Sequence, residues 1–217
     1  MTGPLSELGV QYENASGQKI VFRFGTTPVL IKLATSGDPF DLGVVPVDVM
    51  QDATARARFA SGPTTNIARV GLGIAVRSGV RKPDIGTAEA LKQALLGAQS
   101  VAWIPASAGG TQTLRVFEAL GIGEAMKATT KAQSTPAELV QAVAHGEAGL
   151  GIFLLNALIA PGLDVVGPVL AELHQQVVFT AALAEKAKSV QAAQAFIAYL
   201  RTPAATAVLK ARGMIPA

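Results

Sequence analysis

Short apolar runs alternate with amphipathic stretches at helical spacing along this chain, and that alternation restricts the fold more than any other feature. KIVFRF, FDLGVVPV, NIARVGLGIAVR, QSVAWIP, AGLGIFLL and VVFTAAL read as strands. PLSELGVQYENA, PVLIKLATSG, DVMQDATARARFA, TAEALKQALL, GGTQTLRVFEALG, STPAELVQAVAHG and the proline-punctuated tail from Ser189 to Arg212 read as helices. In the first of these, Leu5, Leu8 and Tyr12 share a face and Gly17 marks the stop. A strand followed by a helix returns beside its neighbour by a crossover, so the expected class is α/β, with mostly parallel sheet covered on both faces. Such sheets hold ligands beyond the carboxyl ends of their strands, where loops enter helix N-termini.

GTTP, PASAGGT and STPAE are junctions of that kind. In FGTTPVL, which contains Gly25, Pro28 suits a first helical turn because its missing N–H is one the helix leaves unbonded anyway. Thr27 is the expected N-cap, its hydroxyl accepting from an orphan N–H. The same corner, with unbonded N–H groups, a dipole end and the hydroxyls of Thr26 and Thr27, is also a seat for an oxyanion. A helix start alone accounts for the stretch equally well.

The remaining composition narrows function by subtraction. The 217 residues suffice for one large domain or two small ones. Half are apolar and only 15% charged, a folded and not a disordered balance. A net charge of +3, spread along the chain without interleaved aromatics, predicts no nucleic-acid partner. There is no cysteine, hence neither a disulfide nor a thiolate metal site. Gly, Pro or charge breaks each apolar stretch short of membrane-spanning length, so no membrane insertion is expected. MTGPLSELG lacks the basic and apolar regions of an export signal. Of the two histidines, His145 suits a helix C-terminus and His174, in ELHQQ, reads as a solvated loop residue. Neither stands in metal-ligand spacing, there is no GxSxG elbow, and the glycine pairs match no nucleotide motif. The expectation is a binding protein with no catalytic residue, metal or cofactor.

Four stretches then carry a resemblance: LGVQYENASGQKIVFRFGTT, DPFDLGVVP, TPAELVQAVAHGEAGLGI and AAQAFIAYLRTPAATAVLKARGMIPA. In that order, from Leu5 to Pro216, the chain resembles type II periplasmic binding proteins, specifically the molybdate-binding-protein-like substrate-binding components of ABC transporters. The resemblance implies two α/β lobes around a hinge crossed twice, with a ligand cleft between. Lobe one would be residues 1–79 plus 184–217, and lobe two 80–183. It implies a periplasmic, monomeric receptor that takes a small anion, a molybdate-like oxyanion or a small organic carboxylate, to an ABC transporter permease. The site it implies gathers Gly25, Thr26 and Thr27 in one lobe and Ser107, Gly109, Gly110 and Thr111 in the other, with Arg69 and Phe153 as further contacts; Arg77 reads equally well as a solvated strand end.

Phe153 and Leu154 stand where molybdate-binding relatives of this type place a tyrosine, which brings in the organic carboxylate as ligand. Some relatives resemble aconitate isomerases, so an isomerase of a small unsaturated polycarboxylate is an alternative. Asp41 would then be the only candidate base, and a structural strand-end acid is its other reading. An effector-binding domain of a regulator is a third possibility on the same fold.

Overall fold

The helix spaced by Leu5, Leu8 and Tyr12 forms as α1, Thr2–Ser16, in a computed structural model that describes residues 1–217. Gly17 ends it at φ 71°, a left-handed conformation that glycine adopts without strain, and its N–H bonds the carbonyl of Glu13. The following KIVFRF run joins no sheet, contrary to the strand expected there. Its alternation is used for packing instead. Phe22 lies against Gly9 of α1 and, at 6.2 Å between ring centroids, against Phe196, while Val21 is 90% exposed. The N–H of Ile20 bonds the Glu13 carboxylate at 2.6 Å.

The chain continues through α2 (Thr27–Thr35), β1 (Leu42–Pro46), α3 (Val47–Gln51), α4 (Ala53–Arg56) and β2 (Thr65–Val70). DVMQDATARARFA is therefore two short helices and not one. Asp52 breaks it by taking extended dihedrals, and its carboxylate caps α4 by accepting from the Ala55 N–H at 2.8 Å. NIARVGLGIAVR also divides: β2 ends at Val70, Gly71 follows, and β3 (Leu72–Arg77) belongs to a different sheet.

Next come α5 (Ala88–Gly97), β4 (Val101–Trp103), α6 (Ala108–Ala119), α7 (Gly123–Thr129), β5 (Thr130–Ala132), α8 (Pro136–Ala144), β6 (Leu150–Leu154), α9 (Leu155–Leu158) and β7 (Leu163–Pro168). A 3-10 turn at Ala171–Leu173 leads to β8 (Val177–Leu183), α10 (Val190–Tyr199), α11 (Pro203–Ala211) and β9 (Ile215–Pro216). The short strands β5, β7 and β9 were not visible as sequence patterns, because each is brief or mixed in polarity.

Two compact units result, one of Met1–Arg69 with Val177–Ala217 and the other of Val70–Gln176. The first holds a four-stranded sheet in the order β1-β8-β2-β9, the second a five-stranded sheet in the order β5-β4-β6-β3-β7. The chain passes between units after Arg69 and after Gln176, where the sequence reading put the passages after 79 and 183. Pairing fixes these positions, since β3 is laddered to β6 and β7 and β8 is laddered to β1.

The sheets are mixed, a correction to the mostly parallel arrangement expected. β4 runs parallel to β5 and β6, as helix crossovers require. β3 runs antiparallel to β6 and β7, β1 to β8, and β2 to β9. The strands beside the passages thus reverse direction, which a reading of βα units alone does not anticipate. The second unit's sheet is apolar on both faces: all five residues of β6 are buried, as are five of the six in β3.

Candidate functional site

In the first unit, Thr26 and not Thr27 is the N-cap of α2. Thr26 has extended dihedrals (φ −78°, ψ 171°), its carbonyl accepts the Leu30 N–H at 2.9 Å, and its hydroxyl makes no capping bond. Thr27 already belongs to the first helical turn with Pro28 behind it, and the N–H that proline lacks is again one the helix leaves unbonded. A side chain at Gly25 would collide with Val29, with 2.5 Å between its Cβ and the valine Cγ1. The turn into the helix therefore presents backbone with two hydroxyl residues, both partly exposed.

In the second unit, Ser107 caps α6. Its hydroxyl accepts the Gly110 N–H at 2.9 Å and donates to the Ile104 carbonyl at 2.7 Å. The Ser107 carbonyl accepts the Thr111 N–H at 3.1 Å. The serine proton is committed, and the N–H groups of Ser107, Gly110 and Thr111 are bonded within the turn, to the Pro105 carbonyl, the Ser107 hydroxyl and the Ser107 carbonyl, so what this turn offers a ligand is chiefly the helix dipole. The two glycines have steric reasons. A Cβ at Gly110 would run into the carbonyl oxygens of Ile104 and Pro105, and one at Gly109 would stand 2.6 Å from the Phe153 ring and 3.1 Å from Leu154.

Ser107, Gly109, Gly110, Thr111 and Phe153 are thus brought together within one unit. Phe153 is only 4% exposed, so it forms the floor beneath the helix start and not an open wall. Gly25, Thr26 and Thr27 are together in the other unit. Arg69 lies near the end of β2, exposed, opposite Ile215 of β9 and without an ion pair.

Neither α2 nor α6 carries an acidic residue in its first turn, so their positive ends are not neutralised from within. α8 differs. Its cap Thr135 accepts the Glu138 N–H at 3.2 Å while Glu138 accepts the Ser134 N–H at 2.8 Å, a closed reciprocal cap. The STPAE junction is therefore filled by its own glutamate and is not an anion seat.

Asp41 is spent on structure: its Oδ1 accepts the N–H groups of Lys188 and Ser189 at the start of α10. His145 caps the C-terminus of α8, as its position suggested. Arg77 is exposed, with its guanidinium beside Gly146. No group of three or more His, Asp or Glu residues gathers to hold a metal ion.

His174 corrects the sequence reading. It is half-buried, its Nε2 accepts the Leu72 N–H at 3.0 Å, and burial pushes its pKa below the ordinary imidazole value. Gln112, on the buried face of α6, was also missed; its Oε1 accepts the Gln175 N–H at 2.9 Å. A glutamine on the inward face of an otherwise small and apolar helix pattern was the available signal.

Residues 1–215 match the family described as bacterial extracellular solute-binding protein. The chain belongs to that family. A relative of this family member, an aconitate isomerase from a Pseudomonas species, is 31% identical over 222 residues, covering 99% of this chain and 84% of that one. The molybdate-binding protein ModA of Azotobacter vinelandii is 28% identical over 222 residues, covering 98% and 85%. The solved structure of the Azotobacter vinelandii periplasmic molybdate-binding protein matches with a TM-score of 0.84 at 18% identity, over 99% of this chain and 94% of that one. The two sheets flanked by helices are thus the type II binding-protein fold. No helix is long and apolar enough to cross a membrane.

Proposed function

We propose that this chain is the anion receptor of an ABC importer and that it works in the periplasm as a monomer. Its ligand is a small organic carboxylate in preference to a tetrahedral oxyanion. The observation that carries the reading is the first turn of α6. There Ser107 has committed its proton to Ile104 and no acid occupies the dipole end. A helix N-terminus whose dipole no acid of its own neutralises suits one carboxylate group. Beneath it the chain has Phe153 and Leu154, which add no hydroxyl for a further oxyanion oxygen. Within the first unit, the Thr26 hydroxyl makes no capping bond, and Arg69, a cation without an ion pair, suits a carboxylate.

Calorimetric titration of the purified protein with citrate, cis- and trans-aconitate, molybdate, tungstate and sulfate tests this. A carboxylate that binds while molybdate and tungstate do not is the expected result. Binding of molybdate alone overturns the choice of ligand, and silence for every anion overturns the anion receptor.

The aconitate isomerase relative, at 31% identity over nearly the whole chain, supports a second reading, isomerisation of a small unsaturated polycarboxylate. Against it stands Asp41, whose carboxylate is held by two backbone N–H groups. Proton NMR of trans-aconitate incubated with the protein decides: cis isomer formed above the protein-free rate establishes turnover, and none formed ends this reading.

A further inference from the structure

Gln112 lies one turn beyond Ala108 on α6, 8% exposed, and its Oε1 accepts the backbone N–H of Gln175. The neighbouring residue, His174, turns its ring to the start of β3, where Nε2 accepts the Leu72 N–H at 3.0 Å and Nδ1 stands 3.2 Å from the Leu170 carbonyl. These partners assign the neutral tautomer with its proton on Nδ1, donated to Leu170, and Nε2 bare. Gly71 makes the approach possible, since a Cβ there would come within 2.9 Å of Nε2. Leu72 follows the first passage of the chain between its two units, after Arg69, and Gln175 precedes the second, after Gln176. Two hydrogen bonds, joined by the peptide bond from His174 to Gln175, therefore link α6 to one passage and that passage to the other.

We propose that Gln112 and His174 are positioning residues that hold the first turn of α6 in register with both chain passages, so that protonating His174 shifts the Ser107–Thr111 turn and weakens ligand binding. The proposal deepens the anion-receptor reading and its binding arm rests on it. An imidazolium has no lone pair for Leu72, and its added N–H points at the one already there. Gln175 is the next residue along, so a displaced ring pulls on the bond to Gln112.

No charge on the packed elements takes over this control. Arg115 and Glu118 of α6 and Glu172 of the 3-10 turn are exposed. Arg77 is at the far end of β3, and Asp164 of β7 is bonded there to Ser78 and Gly79. Burial lowers the His174 pKa and the Leu170 carbonyl opposes that in part, with no neighbouring charge contributing. The ring is accordingly neutral near pH 7 and charges on acidification.

The test is an amide NMR titration of wild type, His174→Gln and Gln112→Leu from about pH 8 to about pH 5, across the ordinary imidazole value. In wild type, the amides of Leu72, Gln175 and Ser107–Thr111 should move with one common midpoint. In His174→Gln they should stay still. In Gln112→Leu, Leu72 should still move while Ser107–Thr111 do not, and Gln112→Glu, which keeps an acceptor, should restore their response. Affinity for cis-aconitate, taken as the ratio of wild type to His174→Gln at each pH to cancel ligand protonation, should fall about two- to tenfold across the range. Ser107–Thr111 amides that ignore the titration, or that respond equally in Gln112→Leu, overturn the coupling. A failure of cis-aconitate to bind would count against the receptor reading alone, because the amide responses decide the coupling without ligand.

Discussion

Asp41 accepts the backbone N–H of Ser189 at 2.8 Å through the same Oδ1 that takes the N–H of Lys188 at 2.7 Å. One carboxylate oxygen thus satisfies two orphan donors at the entry to α10, from a residue 148 positions earlier. Asp41→Ala should lower stability by about 1 kcal/mol, as loss of an N-cap does, while Asp41→Asn should lose much less because an acceptor remains. Thermal melts of both variants measure this. If trans-aconitate is turned over at all, Asp41→Asn should leave the rate unchanged; a rate collapse would return Asp41 to the role of base.

The two glycines of α6 should differ in cost. Alanine at 110 meets the fixed carbonyls of Ile104 and Pro105, whereas alanine at 109 meets the side chains of Phe153 and Leu154, which can shift. Gly110→Ala should therefore sit at or above the upper end of the roughly 1–3 kcal/mol typical of overpacking, and Gly109→Ala lower in that range. Urea unfolding of the pair gives the order, and equal losses would mean that the turn after Pro105 yields.

Thr26 and Ser107 should separate affinity from stability. Ser107→Ala removes a hydroxyl bonded to Gly110 and Ile104, so stability should fall by about 1 kcal/mol with little direct loss of ligand contact. The Thr26 hydroxyl makes no capping bond, so Thr26→Ala should leave the melting temperature nearly unchanged. If that hydroxyl donates to the anion, affinity should drop about two- to tenfold. Melting and titration on both variants check the pattern; unchanged affinity in Thr26→Ala would reduce the turn to a helix start.

Acid should destabilise the protein partly through His174. Its folded pKa lies below its unfolded value, so the unfolded chain binds the proton first as pH falls. The contribution is fully present above the unfolded value near 6.5 and is lost as pH drops from there toward the folded one. Unfolding free energies of wild type and His174→Gln at about pH 7.5 and about pH 5.5 should show the steeper fall in wild type. Parallel falls would assign the acid sensitivity to other groups.

Local signals in the sequence were sufficient for most elements. The spacing of Leu5, Leu8 and Tyr12 and the glycine at 17 fixed α1, because helix periodicity and a left-handed stop act within a few residues. The caps Thr87 and Thr135 act over the same short range, each accepting an N–H three residues on. KIVFRF failed because a strand is defined by its neighbour: the residues favour extension, but only a partner makes a ladder, and these side chains went to Gly9 and Phe196 instead. FDLGVVPV succeeded because β8 lies beside it, with Val44 opposite Ala181.

By itself the sequence determined the α/β class, the order of most elements, and the small-residue, hydroxyl-bearing turns at 25–27 and 107–111, since periodicity, caps and glycine needs are local properties. Tertiary structure alone decided the sheet directions, the passages after Arg69 and Gln176, the commitment of Asp41 to α10, and the bond from Leu72 to His174 across 102 positions. Those outcomes depend on which distant backbone groups meet, and a buried N–H or carbonyl takes whatever partner the fold brings within hydrogen-bond reach.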